Sequence, residues 1–220
     1  MAGEKTKQKI LDAAEELFSD NGFAATSIRA ITARAGVNLA ALNYHFGSKD
    51  ALIEAVFERR IGAVNRERIR LLEEVVSKAG EGDVTLEEVL EAFLSPAIRL
   101  ASDPESRGKG FMRLMGRGHT EPGDFFKEVI AKHFEEIFRR FNTAFQRLLP
   151  HLPPEELYWR IHFVLGAMAF TMSHKLALRY LETYQREGEQ IGDTVFSPDA
   201  GIVLARLIRF TAAGLRAEVE

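Results

Sequence analysis

Apolar positions recur every three or four residues through most of the chain, the spacing of helices that bury one stripe. Thr6–Asp20 carries Ile10, Ala14, Leu17 and Phe18 on one face, and Asn21-Gly22 marks its stop. Thr26-Ser27 supplies the next N-cap, followed by the stripe Ile28, Ile31, Ala35. The segment Gly36–Lys49, G-V-N-L-A-A-L-N-Y-H-F-G-S-K, then reads as a short helix between tight turns. Gly36 can take the left-handed conformation that ends one helix, Asn38 can cap the next, and Gly47-Ser48 repeats the arrangement. A long helix is expected from Ser48 to about Lys78, then Gly80–Asp83 as a hinge, and a helix over Leu86–Ser102 that Pro96 kinks or breaks. Glycines 108, 110, 116 and 118 flank a short helix, F-M-R-L-M. Asp124–Leu149, Pro154 to about Arg186, and Pro198–Glu218 complete an all-α chain.

Two short helices joined by a glycine turn make a helix-turn-helix, with the second as the element that enters a DNA groove. Leu42 and Phe46 sit one turn apart and face inward. The remaining face is small, polar and aromatic, which suits a major groove. Bulk charge adds little. The net charge is −3, with 11 Lys and Arg against 9 Asp and Glu in residues 1–70. Five arginines on the long helix, at 59, 60, 66, 68 and 70, read as a solvated face.

Here the sequence resembles the DNA-binding domain of the TetR family of bacterial transcriptional regulators. The resemblance covers residues 8–57 and rests on I-L-D-A-A-E-E-L-F, G-F-A-A-T-S-I-R-A-I and A-G-V-N-L-A-A-L-N-Y-H-F-G-S-K-D-A-L. It implies an N-terminal three-helix helix-turn-helix domain, residues 1–50, and a C-terminal helical ligand-binding and dimerisation domain, residues 51–220. It also implies that Asn38, Leu39, Ala40, Asn43, Tyr44 and His45 face the groove. Ser27, Tyr44 and Lys49 would meet phosphates, and Arg29 a base edge or the backbone. Leu39, Ala41 and Asn43 depart from the polar or aromatic residues usual at their places in the family.

The last two helices are apolar on several faces and need a partner surface, with a single well-buried core as the alternative. A symmetric four-helix dimer contact through Gly166, Ala169, Leu204, Leu207, Ile208 and Thr211 is expected. Such a homodimer can address a pseudo-palindromic double-stranded operator with half-sites about 34–36 Å apart. Ten of the sixteen phenylalanines fall between Phe93 and Phe170. With Pro96 and the glycines, they suggest a pocket for a small apolar effector. Phe93, Phe111, Met115, Phe134, Phe138, Phe163, Met168, Phe170 and His174 are the candidate lining. Arg113, Arg117, His133 or His174 would hold a polar head group. Within the family, G-V-N-L-A-A-L-N-Y-H-F-G-S-K is similar to regulators that sense long-chain fatty acids or acyl-CoA, with a planar aromatic drug as the rival effector.

The chain has no cysteine, which excludes disulfides and cysteine chemistry. It shows no glycine-rich phosphate loop and no H-E-x-x-H. His162 and His174 are twelve residues apart, about 120° around a helix, a poor metal pair. No enzyme, metal or cofactor is expected. The longest nearly apolar run, Ile161–Met172, falls short of the roughly 20 residues of a membrane span, and no signal peptide opens the chain, so a cytoplasmic protein is expected. The competing reading is a helical protein-interaction domain whose helix-turn-helix no longer binds DNA.

Overall fold

The computed structural model describes residues 2–78, 83–102, 124–173 and 199–219, and every regular element among them is helical. In chain order these are α1 (Ala2–Asn21), α2 (Ile28–Ala35), α3 (Leu39–Phe46), α4 (Lys49–Phe57), a π-helical turn (Glu58–Gly62) and α5 (Ala63–Lys78). They continue with α6 (Leu86–Ser102), α7 (Asp124–Leu148), α8 (Pro154–Ser173) and α9 (Ala200–Arg216). Residues 80–82 of the hinge, the F-M-R-L-M helix and the expected extension to Arg186 lie outside the described residues. None of the described helices is long and apolar enough to cross a membrane.

The chain packs as two units. The first holds Met1–Asn65 with Lys109–Glu135, and the second Arg66–Gly108 with Glu136–Glu220. The first unit therefore runs past residue 50, because α4 packs on α1 and its residues Leu52, Ile53, Val56 and Phe57 are core. Ile10, Phe18, Ile31 and Leu42 complete that core from α1, α2 and α3. Phe23, beyond the end of α1, folds back between Phe18 and Phe57, with ring centroids 5.3 and 5.7 Å away. Thr26 anchors the same corner by donating to the Gly22 carbonyl at 2.7 Å.

The long helix expected from Ser48 to Lys78 is helical throughout, but it is interrupted by the π-turn. A Cβ on Gly62 would collide with the Glu58 carboxylate, so the glycine leaves room for that side chain. Three of its arginines are not solvated. Arg59 and Arg60 both pair with Glu15, which is 1% exposed, and Arg59 also reaches Asp12 at 2.7 Å. Arg68 is buried in the second unit. A carboxylate buried on α1 draws the first two arginines inward, since a buried charge needs a partner. Periodicity alone does not reveal that distant glutamate.

Pro96 does not break α6, which runs unbroken from Leu86 to Ser102 with the proline fully inside it. Packing on both sides holds the helix, for Leu86 through Ile98 is buried except Glu87, Glu88 and Glu91. Helix α9 lies against α6 and α8. Arg160 on α8 donates to the Gly214 and Leu215 carbonyls at 3.1 Å, satisfying acceptors that the end of α9 leaves open.

Candidate nucleic-acid interface and effector cleft

In the first unit, local chemistry sets the angle between α2 and α3. The Ser27 hydroxyl accepts from the Ala30 N–H at 3.1 Å and starts α2. Gly36 ends it at φ 64°, ψ 38°, and the Val37 N–H returns to the Thr32 carbonyl at 3.0 Å. That left-handed step is strained for any side chain but open in space, so backbone conformation alone requires glycine. The Asn38 side chain accepts from the Ala41 N–H at 2.8 Å to start α3. Gly47 ends α3 at φ 73°, and Ser48 caps α4 through the Ala51 N–H at 3.1 Å.

With α3 held this way, Leu42 is fully buried and Phe46 half-buried. Ala40 and Asn43 are exposed, and Leu39 and Tyr44 are 50% and 86% exposed. Tyr44 meets His45 edge-on, with centroids 5.2 Å apart, and His45 is half-buried. Arg29 stands exposed on α2, whereas its neighbour Arg34 is drawn to Glu16. Two of the expected contacts are partly committed. The Asn38 side-chain oxygen is used as a cap, which leaves its amide N–H groups to donate. Lys49 reaches the Ala24 carbonyl at 3.5 Å with one of the three donors of its ammonium. The Ser27 hydroxyl accepts as a cap and can still donate its own proton.

In the second unit, α6, α7 and α8 enclose a cleft of about 520 Å³. Phe93 comes from α6, Phe138, Phe141 and Phe145 from α7, and Tyr158, Ile161, His162 and Leu165 from α8. Arg139, Asn142 and Gln146 add polar groups along α7. The aromatic walls support one another: Phe93 lies 4.9 Å from Phe141 and 6.2 Å from Phe145, and Tyr158 stacks on His162 at 6.3 Å.

Of the residues expected to line a pocket, Phe93 and Phe138 are in this cleft. Met168 is buried near Arg68, and Phe134, half-buried, belongs to the first unit. Phe163 and Phe170 are 65% and 59% exposed and do not line it. The helical rotation of α8 puts them on a different face from Tyr158, His162 and Leu165. Phe111, Met115 and His174, with Arg113 and Arg117, lie outside the described residues. His133 belongs to the first unit, where its ring faces Glu58 at 3.3 Å and its carbonyl accepts from Asn65 at 2.7 Å. Among the cleft residues not foreseen, which include Phe141, Phe145 and Ile161, Tyr158, His162 and Leu165 share an i, i+4, i+7 stripe, a pattern that could have grouped them.

The residues expected at a dimer contact also divide. Gly166 and Ala169 are exposed and Leu204 half-buried. Leu207, Ile208 and Thr211 are turned into their own subunit, at 7%, 9% and 4% exposure. They face inward because α9 packs on α6, and Thr211 spends its hydroxyl on the Leu207 carbonyl at 2.8 Å. The apolar residues left outside are instead Trp159, Phe163 and Phe170 on α8 with Ile202 and Phe210 on α9.

Comparison with known proteins agrees with this geometry. The family described as "Bacterial regulatory proteins, tetR family" matches residues 10–56, and "Tetracyclin repressor-like, C-terminal domain" matches residues 91–214. The transcriptional regulator UidR of Escherichia coli K12 is 45% identical over 51 residues, 23% of this chain and 26% of that protein. The transcriptional repressor Rv3405c of Mycobacterium tuberculosis is 49% identical over 55 residues, 25% of this chain and 29% of that protein. The chain thus matches little more than a quarter of the length of these curated relatives. Solved structures share the fold along nearly the whole chain. The fatty acid degradation regulator FadR of Bacillus halodurans superposes with TM-score 0.62 at 13% identity, covering 97% of each chain. A complex of SmeT with triclosan gives 0.60 at 20% identity, covering 93% of this chain and 90% of that one. FadR of Bacillus subtilis in complex with stearoyl-CoA gives 0.59 at 15% identity, covering 94% and 98%. The capped helix-turn-helix and the helical second unit, matched by both family descriptions, place the chain in the TetR family of bacterial transcriptional regulators.

Proposed function

We propose that the protein is a dimeric transcriptional repressor whose hold on a pseudo-palindromic operator is released by a small apolar effector. The observation that carries this is the exposed face of α3, where Leu39, Ala40, Asn43 and Tyr44 project between two capped ends. Asn43 is suited to an adenine edge, and Leu39 and Ala40 to thymine methyls. Tyr44, Lys49, Ser27 and Arg29 supply the phosphate-side contacts. His45 borders the groove from its half-buried place. A cytoplasmic setting follows from this role.

A second copy of the chain would cover the exposed apolar residues of α8 and α9, Trp159, Phe163, Phe170, Ile202 and Phe210, across Gly166 and Ala169. The effector would occupy the aromatic cleft. Along α7 the cleft extends from Phe138 to Gln146, about 12 Å at the rise of an α-helix. An extended eighteen-carbon chain is about 20 Å long by bond geometry. Along α8 the lining runs further, from Pro154 to Leu165, about 16 Å at the same rise, so the cleft accepts either a compact aromatic molecule or a folded long acyl group. Similar folds hold triclosan and stearoyl-CoA, respectively. Because α4, the π-turn and α5 form one helical run from Lys49 to Lys78, a shift at the cleft would reach α3. Release requires that the effector bind the two spacings with different affinities.

Footprinting the protein on DNA upstream of its own coding region tests the central reading, and no protected site would end it. On the protected site, Lys49→Ala should weaken binding on every sequence and reduce the salt slope by about 1. Asn43→Ala should chiefly blunt base preference, by about 1–3 kcal/mol at the contacted position.

A further inference from the structure

Phe93 is shared between the cleft and a buried cation. Its ring forms part of the cleft wall, and the Arg68 guanidinium carbon stands 4.9 Å from the ring centroid. Arg68 Nε donates to the Phe93 carbonyl at 2.8 Å, and Nη2 lies 3.9 Å from the Met168 sulfur. Arg68 itself is 2% exposed. One side chain of α5 thus grips the α6 wall of the cleft by ring and by backbone, and touches α8 as well.

The α6 turn it grips is a weakened one. Pro96 has no N–H to give the Ala92 carbonyl, and its ring crowds that carbonyl. The turn that carries Phe93 therefore lacks one internal hydrogen bond and yields more readily than its neighbours. The guanidinium is planar and can stack and donate at once, which an ammonium does not do. Burial pulls its pKa down to about 10, so it stays charged at neutral pH. A buried charge cannot be left without its contacts cheaply. When Phe93 moves, Arg68 must follow.

We infer that Arg68 is the positioning residue that passes occupancy of the cleft from Phe93 to α5, and so to the helical run that begins beside α3. This rests on the reading of the cleft as the effector site. Arg68 touches neither DNA nor effector; it links the Phe93 wall to the run from Lys49 to Lys78.

The absence of cysteine allows a test that does not need the natural effector. Gln146, an exposed residue of the cleft lining, is replaced by cysteine (Gln146→Cys) and labelled with N-phenylmaleimide, a compact aromatic group attached at the cleft wall. Operator affinity is then compared between labelled and unlabelled protein, with Arg68 intact and in Arg68→Lys and Arg68→Met backgrounds. With Arg68 intact, the label should weaken binding about tenfold, within the usual range of coupling between sites. It should also alter hydrogen exchange in α5, a readout that loss of stability alone does not make label-dependent. In Arg68→Met the label should cost less than about twofold, with Arg68→Lys between the two. If Arg68→Met melts before the assay, Arg68→Lys carries the comparison. A label that weakens binding equally in all backgrounds overturns the role of Arg68 and leaves the effector site standing. A label without effect on the Arg68 protein overturns the effector site, and the coupling with it.

Discussion

The two units build their sites in opposite ways. The α2–α3 segment is a local construction: Ser27, Gly36, Asn38, Gly47 and Ser48 each set a turn within four residues of themselves. The cleft is a distant one, assembled from α6, α7 and α8, with Phe93 and Leu165 far apart in sequence. The first exposes its apolar groups, with Tyr44 at 86%; the second buries its inner rings, Phe93 at 1% and Phe141 at 2%, and leaves Phe138 and Tyr158 partly open at 42% and 63%. A surface that must meet DNA is shaped by backbone caps, so its side chains stay free. The cleft is shaped by packing between helices, so its side chains are the structure.

This contrast can be broken by substitution. Phe141→Ala should have the largest effect, because the ring is 2% exposed and touches both Phe93 and Phe145. A loss of about 3–5 kcal/mol in denaturant unfolding is expected. A loss below about 1 kcal/mol would mean that the walls do not depend on mutual packing. Next is Phe210→Glu on the exposed face of α9, 72% exposed in the subunit. It should shift sedimentation from dimer to monomer while leaving the subunit's helicity unchanged, and an unshifted dimer would place the contact elsewhere.

Asn38→Ala should cost about 1 kcal/mol through loss of the cap. It should lower affinity for all operator sequences alike. A change in base preference larger than the change in stability would show that the Asn38 amide N–H groups also read a base edge. The smallest effect is expected at Arg216, whose guanidinium bonds Glu87 at 2.7 Å on the surface. The Arg216 hydrogen bond holds the Glu87 carboxyl below its ordinary range. A lowered carboxyl stabilises the fold above the unfolded carboxylate pKa, and that contribution fades as pH falls through the lowered folded value. Arg216→Ala should therefore cost less than about 1 kcal/mol at neutral pH. The difference from the parent should close in acid, and a thermal melt at both pH values would show it.

Much of the first unit was legible in the chain because caps and stop signals act on their own neighbours. The glycines at 36 and 47 and the caps at 38 and 48 take the roles their residue types suggest. The start of α1 was less so, since it begins at Ala2 rather than Thr6. In the second unit, helix identity was legible and helix rotation was not. Phe138 and Phe163 are both apolar residues on amphipathic helices, yet one lines the cleft and the other is 65% exposed on another face of the unit. Leu207 and Phe210 are three residues apart on α9, and only the first is buried.

By itself, the sequence determined the caps and glycine turns that bound α2, α3 and the start of α4, and which short helix is presented between them. Those features depend on hydrogen bonds that close within a few residues. Only the tertiary structure decided that Arg59 and Arg60 serve a buried Glu15, that Pro96 is tolerated inside α6, and that Arg68 lies under Phe93. Each of these depends on a partner or a packing surface brought in from another helix. A charge or a proline looks the same in the chain whether water or a distant side chain satisfies it.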